Sequence, residues 1–159
     1  MLLHVSIPAD EPERVAKAIA AVVQGTVLEF PPVPGAFMVW FGTAQRMIIE
    51  INPRGHEHVP AANQFGIRPN PTPSPYSEGH VAIAAPLSAE SVLAIGAREG
   101  WLAQRSDRGG LFSVVELWLE NKFLLEVVPD EERLNYSDNV TMDRFSALFA
   151  LNPPGGTRS

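Results

Sequence analysis

The stretch "RMIIEINP", residues 46 to 53, places one glutamate, Glu50, inside an otherwise apolar run. "KFLLEVVP", residues 122 to 129, repeats this pattern with Glu126 in the equivalent place. An ionised carboxylate that is taken out of water needs a cation, a metal ion or several hydrogen bonds to compensate its charge. The sequence therefore indicates that both glutamates have such a partner.

The repeat extends over most of the chain. Residues 1 to 53 overlay residues 77 to 129 without a gap, so that His80 follows His4 by 76 residues, as Glu126 follows Glu50. The same shift places "HVSIPA" on "HVAIAA". A repeat with one fixed offset indicates a fold made of two copies of one unit.

Each copy reads as a strand, a helix and three further strands. The first strands are "LLHVSI" and "HVAIAA", and the helices begin near Asp10 and Ser88, where capping side chains and early acids suit a helix N-terminus, and end at Gly25 and Gly100. The remaining strands are expected at about 26–30, 36–42 and 46–52, and at about 101–106, 112–118 and 122–128. We therefore predict an α+β fold of two fused βαβββ modules, which form a curved mixed β-sheet cup with the helices outside.

The modules are expected to form one structural domain. The first module spans residues 1–53, a Pro-rich linker spans 54–78, and the second module spans 79–129. Proline keeps the linker extended and removes amide donors. Residues 130–159 are expected to hold a C-terminal helix in "DNVTMDRFSALFALN", followed by a frayed tail. The apolar residues of this helix suit the core or a subunit interface; they are Val140, Met142, Phe145, Leu148 and Phe149.

Strand alternation decides where the four polar residues of the repeat point, because successive side chains lie on opposite faces of a sheet. The apolar residues of each strand suit the helix side, which leaves His4, Glu50, His80 and Glu126 on the other face. If the two sheets curve around a common cleft, an approximate two-fold axis brings these four groups together. Nitrogen and oxygen ligands suit a divalent first-row metal: nickel, zinc, cobalt, iron or manganese.

Other interpretations of these residues stay open. Each histidine could be hydrogen-bonded to a neighbour at a strand start, and each glutamate could pair with a base such as Arg46 or Lys122. The shared offset favours a metal site. His56 and His58 lie in the linker, where a solvated loop is the expected structure. Trp40 and Glu116 hold equivalent places on the third strand of each module and are candidate substrate contacts.

The duplicated arrangement resembles the vicinal oxygen chelate superfamily of glyoxalase, bleomycin-resistance and extradiol dioxygenase proteins. The matching segments are "LLHVSI", "MIIEI", "GHVAI" and "FLLEV". The resemblance implies paired modules around a metal cup, with His4, Glu50, His80 and Glu126 as ligands. It also implies a metal-dependent lyase or isomerase of the glyoxalase-like type, in which Glu126, or else Glu50, moves a proton. A non-catalytic drug-binding protein of the bleomycin-resistance type is the alternative. A ring-cleaving dioxygenase is less favoured, because those enzymes use two histidines and one glutamate.

Composition limits the partners. The net charge of −6 argues against binding nucleic acid through its phosphates. No apolar run approaches the roughly 20 residues of a membrane span, and the N-terminal residues lack a signal-peptide pattern, so we expect a cytoplasmic protein. The chain has no cysteine and hence no thiolate ligand. We expect a small-molecule substrate and a homodimer; the cup could close within one chain or between two.

Overall fold

The computed structural model describes residues 3–62 and 65–148. The secondary-structure elements follow the order predicted from the repeat. They are β1 (His4–Ala9), α1 (Pro12–Val23), β2 (Thr26–Glu29), β3 (Phe37–Phe41), β4 (Met47–Pro53), β5 (His56–Val59), β6 (Gly66–Pro69), β7 (Val81–Ala84), α2 (Ala89–Glu99), β8 (Ala103–Asp107), β9 (Ser113–Leu119), β10 (Phe123–Val128), α3 (Arg133–Asn139) and α4 (Met142–Leu148).

The strands form two four-stranded mixed sheets of identical topology. Their strand orders are β1-β4-β3-β2 and β7-β10-β9-β8. In each sheet the first strand of the module runs parallel to the fourth, and the other pairs are antiparallel. This confirms the predicted α+β fold class with two βαβββ units.

One hydrophobic core joins the two modules. Helix α1 buries Val15, Ile19 and Val22, whose spacing of three to four residues places them on one face. Helix α2 buries Val92 and Ile95 in the same way. These residues and the inward-facing strand residues form one continuous cluster, and α1 also packs against α2. Within the part of the chain that the structure describes, no helix has the length and apolar character needed to cross a membrane.

The start of α1 is held by the other module. The sequence suggested Asp10 as the capping side chain, which is wrong. The residue at the cap position is Glu11, and its side chain makes no capping hydrogen bond. Instead the backbone N–H groups of Asp10 and Glu11 both donate to the carboxylate of Glu120 at 2.7 Å. The Asp10 carboxylate accepts from Arg54 at 2.8 Å and from Lys122, which further ties the two modules together.

The Pro-rich linker contains a β-hairpin, which the proline pattern did not predict. Strands β5 and β6 pair antiparallel, with His56 opposite Pro69 and His58 opposite Ile67. Glu57 and Arg68 form a cross-strand ion pair at 2.7 Å. The hairpin lies between the two modules in sequence and adds a third, two-stranded sheet to the fold.

The C-terminal segment is helical, as predicted, but its described part forms two short helices, α3 and α4. Met142 and Leu148 are exposed, as is Val140 between the helices. Of the two expected places for this apolar stripe, the core is wrong for these three residues, and a subunit interface stays a prediction. The Phe145 side chain, Phe149 and the predicted frayed tail lie outside the described part of the chain.

Candidate functional site

Glu50 lies on the first module beside a serine. The parallel register of β1 and β4 places Ser6 opposite Glu50, and His4 opposite Ile48. The Ser6 hydroxyl donates a hydrogen bond to Glu50 Oε2 at 2.6 Å. His4 precedes Ser6 by two residues and therefore points to the same face. The predicted placement of His4 and Glu50 on one face of the sheet thus holds, with Ser6 as an addition that the sequence analysis missed.

Two buried polar atoms near Glu50 have no hydrogen-bond partner within the described residues. They are Trp40 Nε1 and Asn52 Oδ1. Asn52 follows Glu50 by two residues, and Trp40 lies opposite Ile48, so both side chains occupy the face that carries Glu50. A buried polar atom without a partner costs about 1–3 kcal/mol. This face is therefore suited to a ligand, a water molecule or a second chain that supplies the missing partners.

The β5–β6 hairpin covers a cavity of about 460 Å³ on the face of the first sheet that carries Glu50. Ser6 and Asn52 form part of its floor, and His56 and His58 of the hairpin face it from above. Both histidines are exposed, as expected, but the expectation that they lie in a loop is wrong. They belong to a strand and line a cavity.

The second module brings its histidine and glutamate close together. His80 lies directly before β7, and its Nε2 is 3.7 Å from Glu126 Oε2. The other carboxylate oxygen of Glu126 accepts a hydrogen bond from Arg108 Nη2 at 2.5 Å. Arg108 Nη2 also donates to Glu116 Oε1 at 2.9 Å. Arg108 thus bridges two carboxylates that lie directly opposite each other on β9 and β10.

The charges of this cluster are mutually stabilised. A hydrogen bond from Gln104 is the largest influence on Glu116 and, with those from Arg108 and Ser106, it outweighs burial and lowers the pKa of the Glu116 carboxyl. Burial opposes the charged form of Arg108, but the hydrogen bonds to Glu116 and Glu126 outweigh it and raise its pKa. Arg108 and Glu116 are therefore both ionised at neutral pH.

The base that pairs with Glu126 is not the one suggested by the sequence. Lys122 pairs with Asp10, and Arg108 takes the place beside Glu126. Sequence proximity favoured Lys122, whereas the β8–β9 hairpin brings Arg108 across the sheet. A signal that could have placed Arg108 on this face is strand alternation, because Gln104 lies opposite Glu116 and Arg108 follows Gln104 by an even number of residues.

The four predicted ligands do not meet within one chain. All four lie in the described ranges 3–62 and 65–148, and those ranges contain no group of three or more His, Asp or Glu side chains that could hold one metal ion. The sequence left open whether the cup closes within one chain or between two, and the described residues show no such cluster inside one chain. Each module instead carries one histidine and one glutamate of the set. Assembly from two chains stays a prediction.

Solved structures show to which proteins this fold is similar. The sequence matches no protein-family model and no curated protein. Lactoylglutathione lyase from Agrobacterium tumefaciens has a TM-score of 0.54 at 13% identity, covering 82% of this chain and 94% of that one. The fosfomycin resistance protein FosX from Listeria monocytogenes gives 0.54 at 10% identity, with coverages of 81% and 92%. A glyoxylase/bleomycin resistance protein/dioxygenase domain from a Frankia species has a TM-score of 0.54 at 8% identity, covering 81% of this chain and 96% of that one. At these identities the likeness establishes the fold alone.

Proposed function

Because the chain has the fold of the vicinal oxygen chelate superfamily, we propose that it is a divalent-metal-dependent lyase or isomerase of the glyoxalase-like type. Its substrate is a small oxygenated molecule that reacts through an enolate or enediolate. The active protein is a homodimer in which His4 and Glu50 of one protomer and His80 and Glu126 of a second hold the metal. The observation that carries this proposal is the His80–Glu126 pair, with Nε2 and Oε2 3.7 Å apart.

The residues present fit a divalent first-row metal as two halves of one ligand set. Each module offers an imidazole nitrogen and a carboxylate, the ligand types that nickel, zinc, cobalt, iron and manganese accept. Arg108 occupies Glu126 Oε1, so Oε2, which faces His80, remains the ligand oxygen. Trp40 Nε1 and Asn52 Oδ1 have no partner within the described ranges, which supports the view that groups beyond these ranges, such as those of a ligand or a second chain, complete the first module's face.

The chemistry is divided between the ion and the two glutamates. A bound divalent ion supplies Lewis-acid stabilisation of negative charge that develops on the substrate oxygens. Glu126, with Glu50 as second choice, accepts a proton from a carbon of the substrate and returns it at a neighbouring position. Because Arg108 holds Oε1 of Glu126, Oε2 would have to leave the ion before it could accept the proton. At Glu50 the Ser6 hydroxyl fixes the orientation of the carboxylate.

Trp40 and Glu116 have different roles in this proposal. Trp40 lies on the face of Glu50 and is kept as a substrate contact, with an indole N–H available as a donor. Glu116 is bonded to Gln104 and Arg108, so it positions Arg108 and acts on Glu126 through it.

Elemental analysis of protein purified without chelator tests the metal site. We expect about one divalent ion per chain, and its loss in His80→Ala and in Glu126→Ala, because each change removes one of four ligands. His56→Ala is the matched control, since it removes an imidazole outside the proposed set and is expected to keep the metal. Metal-free wild-type protein, or full metal content in both ligand variants, would contradict the proposal. Loaded protein is then assayed with 2-oxoaldehyde–thiol adducts and coenzyme A thioester epimers.

A non-catalytic small-molecule-binding protein is the second candidate. It is supported by Arg108, which compensates the charges of Glu116 and Glu126 without any metal. On this alternative, metal-free protein binds its ligand with full affinity and turns nothing over.

A further inference from the structure

A large pocket lies between the β8–β9 turn, β10 and the two C-terminal helices. Its volume is about 730 Å³, which is within the range of about 300–1,000 Å³ typical of small-molecule sites. Most of its wall is apolar, from Leu111, Phe112, Val140 and Leu148. Glu126 lines one side and Arg144 of α4 lines another. The pocket therefore combines an apolar wall with charged groups at defined places.

The apolar wall is braced by an aromatic pair. The rings of Phe112 and Tyr136 meet nearly edge-on, with centroids 4.9 Å apart and planes at 70°. Asn139 ties α3 to the β8–β9 turn, because its side-chain amide donates to Leu111 O at 2.8 Å. The pocket walls thus come from parts of the chain that are bonded to each other.

Arg144 is the cation that this pocket leaves open to a ligand. The other guanidinium of the lining, Arg108, is already bonded to Glu116 and Glu126. Within residues 3–62 and 65–148 the Arg144 guanidinium donates only to the neutral side-chain oxygen of Asn139 and forms no ion pair. A guanidinium binds carboxylates, sulfonates and phosphates through charge-assisted hydrogen bonds.

We propose that this pocket binds an amphipathic organic acid, with its apolar body against Leu111, Phe112 and Val140 and its acid group at Arg144. Because Glu126 also lines the pocket, the inference names the substrate class of the proposed enzyme, and the role of the acid as substrate rests on that proposed function. Binding itself depends on the pocket and on Arg144, and requires no metal.

The test uses two fluorescent probes that differ by one acid group: 1-anilinonaphthalene-8-sulfonate and its uncharged counterpart N-phenyl-1-naphthylamine. Both are titrated into the full chain in the presence of a chelator. Arg144→Met is expected to weaken binding of the sulfonate at least about tenfold, as expected for the loss of a charge-assisted hydrogen bond. The uncharged probe is expected to keep its affinity, and Arg144→Lys to retain most of the sulfonate binding.

Matched variants locate the binding. Arg133→Met removes a guanidinium of α3 that pairs with Asp130 outside the pocket, and is expected to leave sulfonate binding unchanged. Ala147→Trp, on α4, places a large ring in the pocket and is expected to abolish binding of both probes. Leu134→Trp, at an exposed position of α3 that does not line the pocket, is expected to leave both probes bound. If Ala147→Trp does not fold, as judged by circular dichroism, the Arg144 comparison decides.

Equal sulfonate affinity of wild type and Arg144→Met would overturn the inference, as would an equal loss of both probes in Arg144→Met. The two proposals fail separately. Absence of metal with intact, Arg144-dependent probe binding overturns the enzyme and keeps the acid pocket. If the protein holds stoichiometric metal but binds the sulfonate equally well with and without Arg144, the acid pocket is overturned and the proposed enzyme is kept.

Discussion

Arg108 joins two carboxylates that repel each other in its absence. Glu116 and Glu126 lie directly opposite on neighbouring strands, and like charges in that arrangement are destabilising. The side chain of Arg108 is 32% exposed, and those of Glu116 and Glu126 are 15% and 18% exposed, so solvent screens the cluster only partly. Removing the guanidinium leaves two poorly solvated charges without a cation.

We therefore expect Arg108→Met to lower the free energy of unfolding at pH 7 by about 1–3 kcal/mol, measured by urea denaturation. The folded-state pKa of Glu116 lies below its ordinary value of 4.5. The stabilisation from this cluster is therefore fully present above pH 4.5, and it is lost as the pH falls through the lower pKa that Glu116 has in the folded protein. The difference in the free energy of unfolding between wild type and Arg108→Met should become smaller below pH 4.5. Arg46→Met is the control, because Arg46 is exposed and forms no ion pair in the part of the chain that the structure describes. A difference in the free energy of unfolding that does not change with pH would count against the cluster.

At the residue scale, the repeat predicted the strand faces of His4, Glu50 and Glu126, because alternation is a local property. It could not predict Ser6 or Arg108 as partners of the glutamates. Ser6 depends on the register of a parallel pair whose strands are 44 residues apart. Arg108 reaches Glu126 through a hairpin whose turn is set by Gly109 and Gly110, both with positive φ. Registers of this kind are decided by packing.

Helix α2 lies unusually close to its sheet at Gly96. A Cβ atom added there would be 2.5 Å from Ala103 Cβ and 3.2 Å from Leu117 Cδ1. Real Cβ atoms do not approach that closely, so the glycine permits the contact between the helix and strands β8 and β9.

Gly96→Ala is expected to destabilise the protein by about 1–3 kcal/mol, because overpacking outweighs the gain of about 1 kcal/mol in helix propensity. Thermal and urea unfolding measure the change. Gly79→Ala is the matched control, since nothing lies within 4 Å of a Cβ at that position and its φ is not positive. A Gly96→Ala protein as stable as wild type would show that α2 can move away from the sheet at no cost.

Helices and strands of the modules were predictable because each carries its own periodicity. Glycine or proline does not mark every end, since α1 is capped by Gln24 and β9 turns through Glu120 and Asn121, all with positive φ. The β5–β6 hairpin was not predicted, because its prolines indicated a linker. In the structure Pro60 follows β5 and Pro69 is the last residue of β6, so both stand at strand ends, where a missing amide donor is tolerated. The informative signal was the pair of Glu57 and Arg68, which face each other across the hairpin.

At the scale of the whole molecule, the repeat predicted two modules but not how they meet. Their relative placement depends on contacts between distant residues: Glu120 with the start of α1, Asp10 with Lys122, and Arg14 with Glu99 at 3.0 Å. Arg14 also lies over the Trp101 ring at 5.5 Å. A constant sequence offset carries no information about these contacts. The repeat therefore predicts which residues are equivalent in the two modules, but not the contacts that join the modules.

Subunit mixing tests the central claim, that two chains each supply half of one metal centre. One variant carries His4→Ala and Glu50→Ala, the other His80→Ala and Glu126→Ala, and each alone is expected to bind little metal. In a mixed dimer the intact first module of one chain meets the intact second module of the other. Metal content of the equal mixture should therefore rise to about a quarter of the wild-type level, since about half of the dimers are mixed and each has one intact site. Mixed dimers verified by native mass spectrometry that still bind no metal would contradict the account.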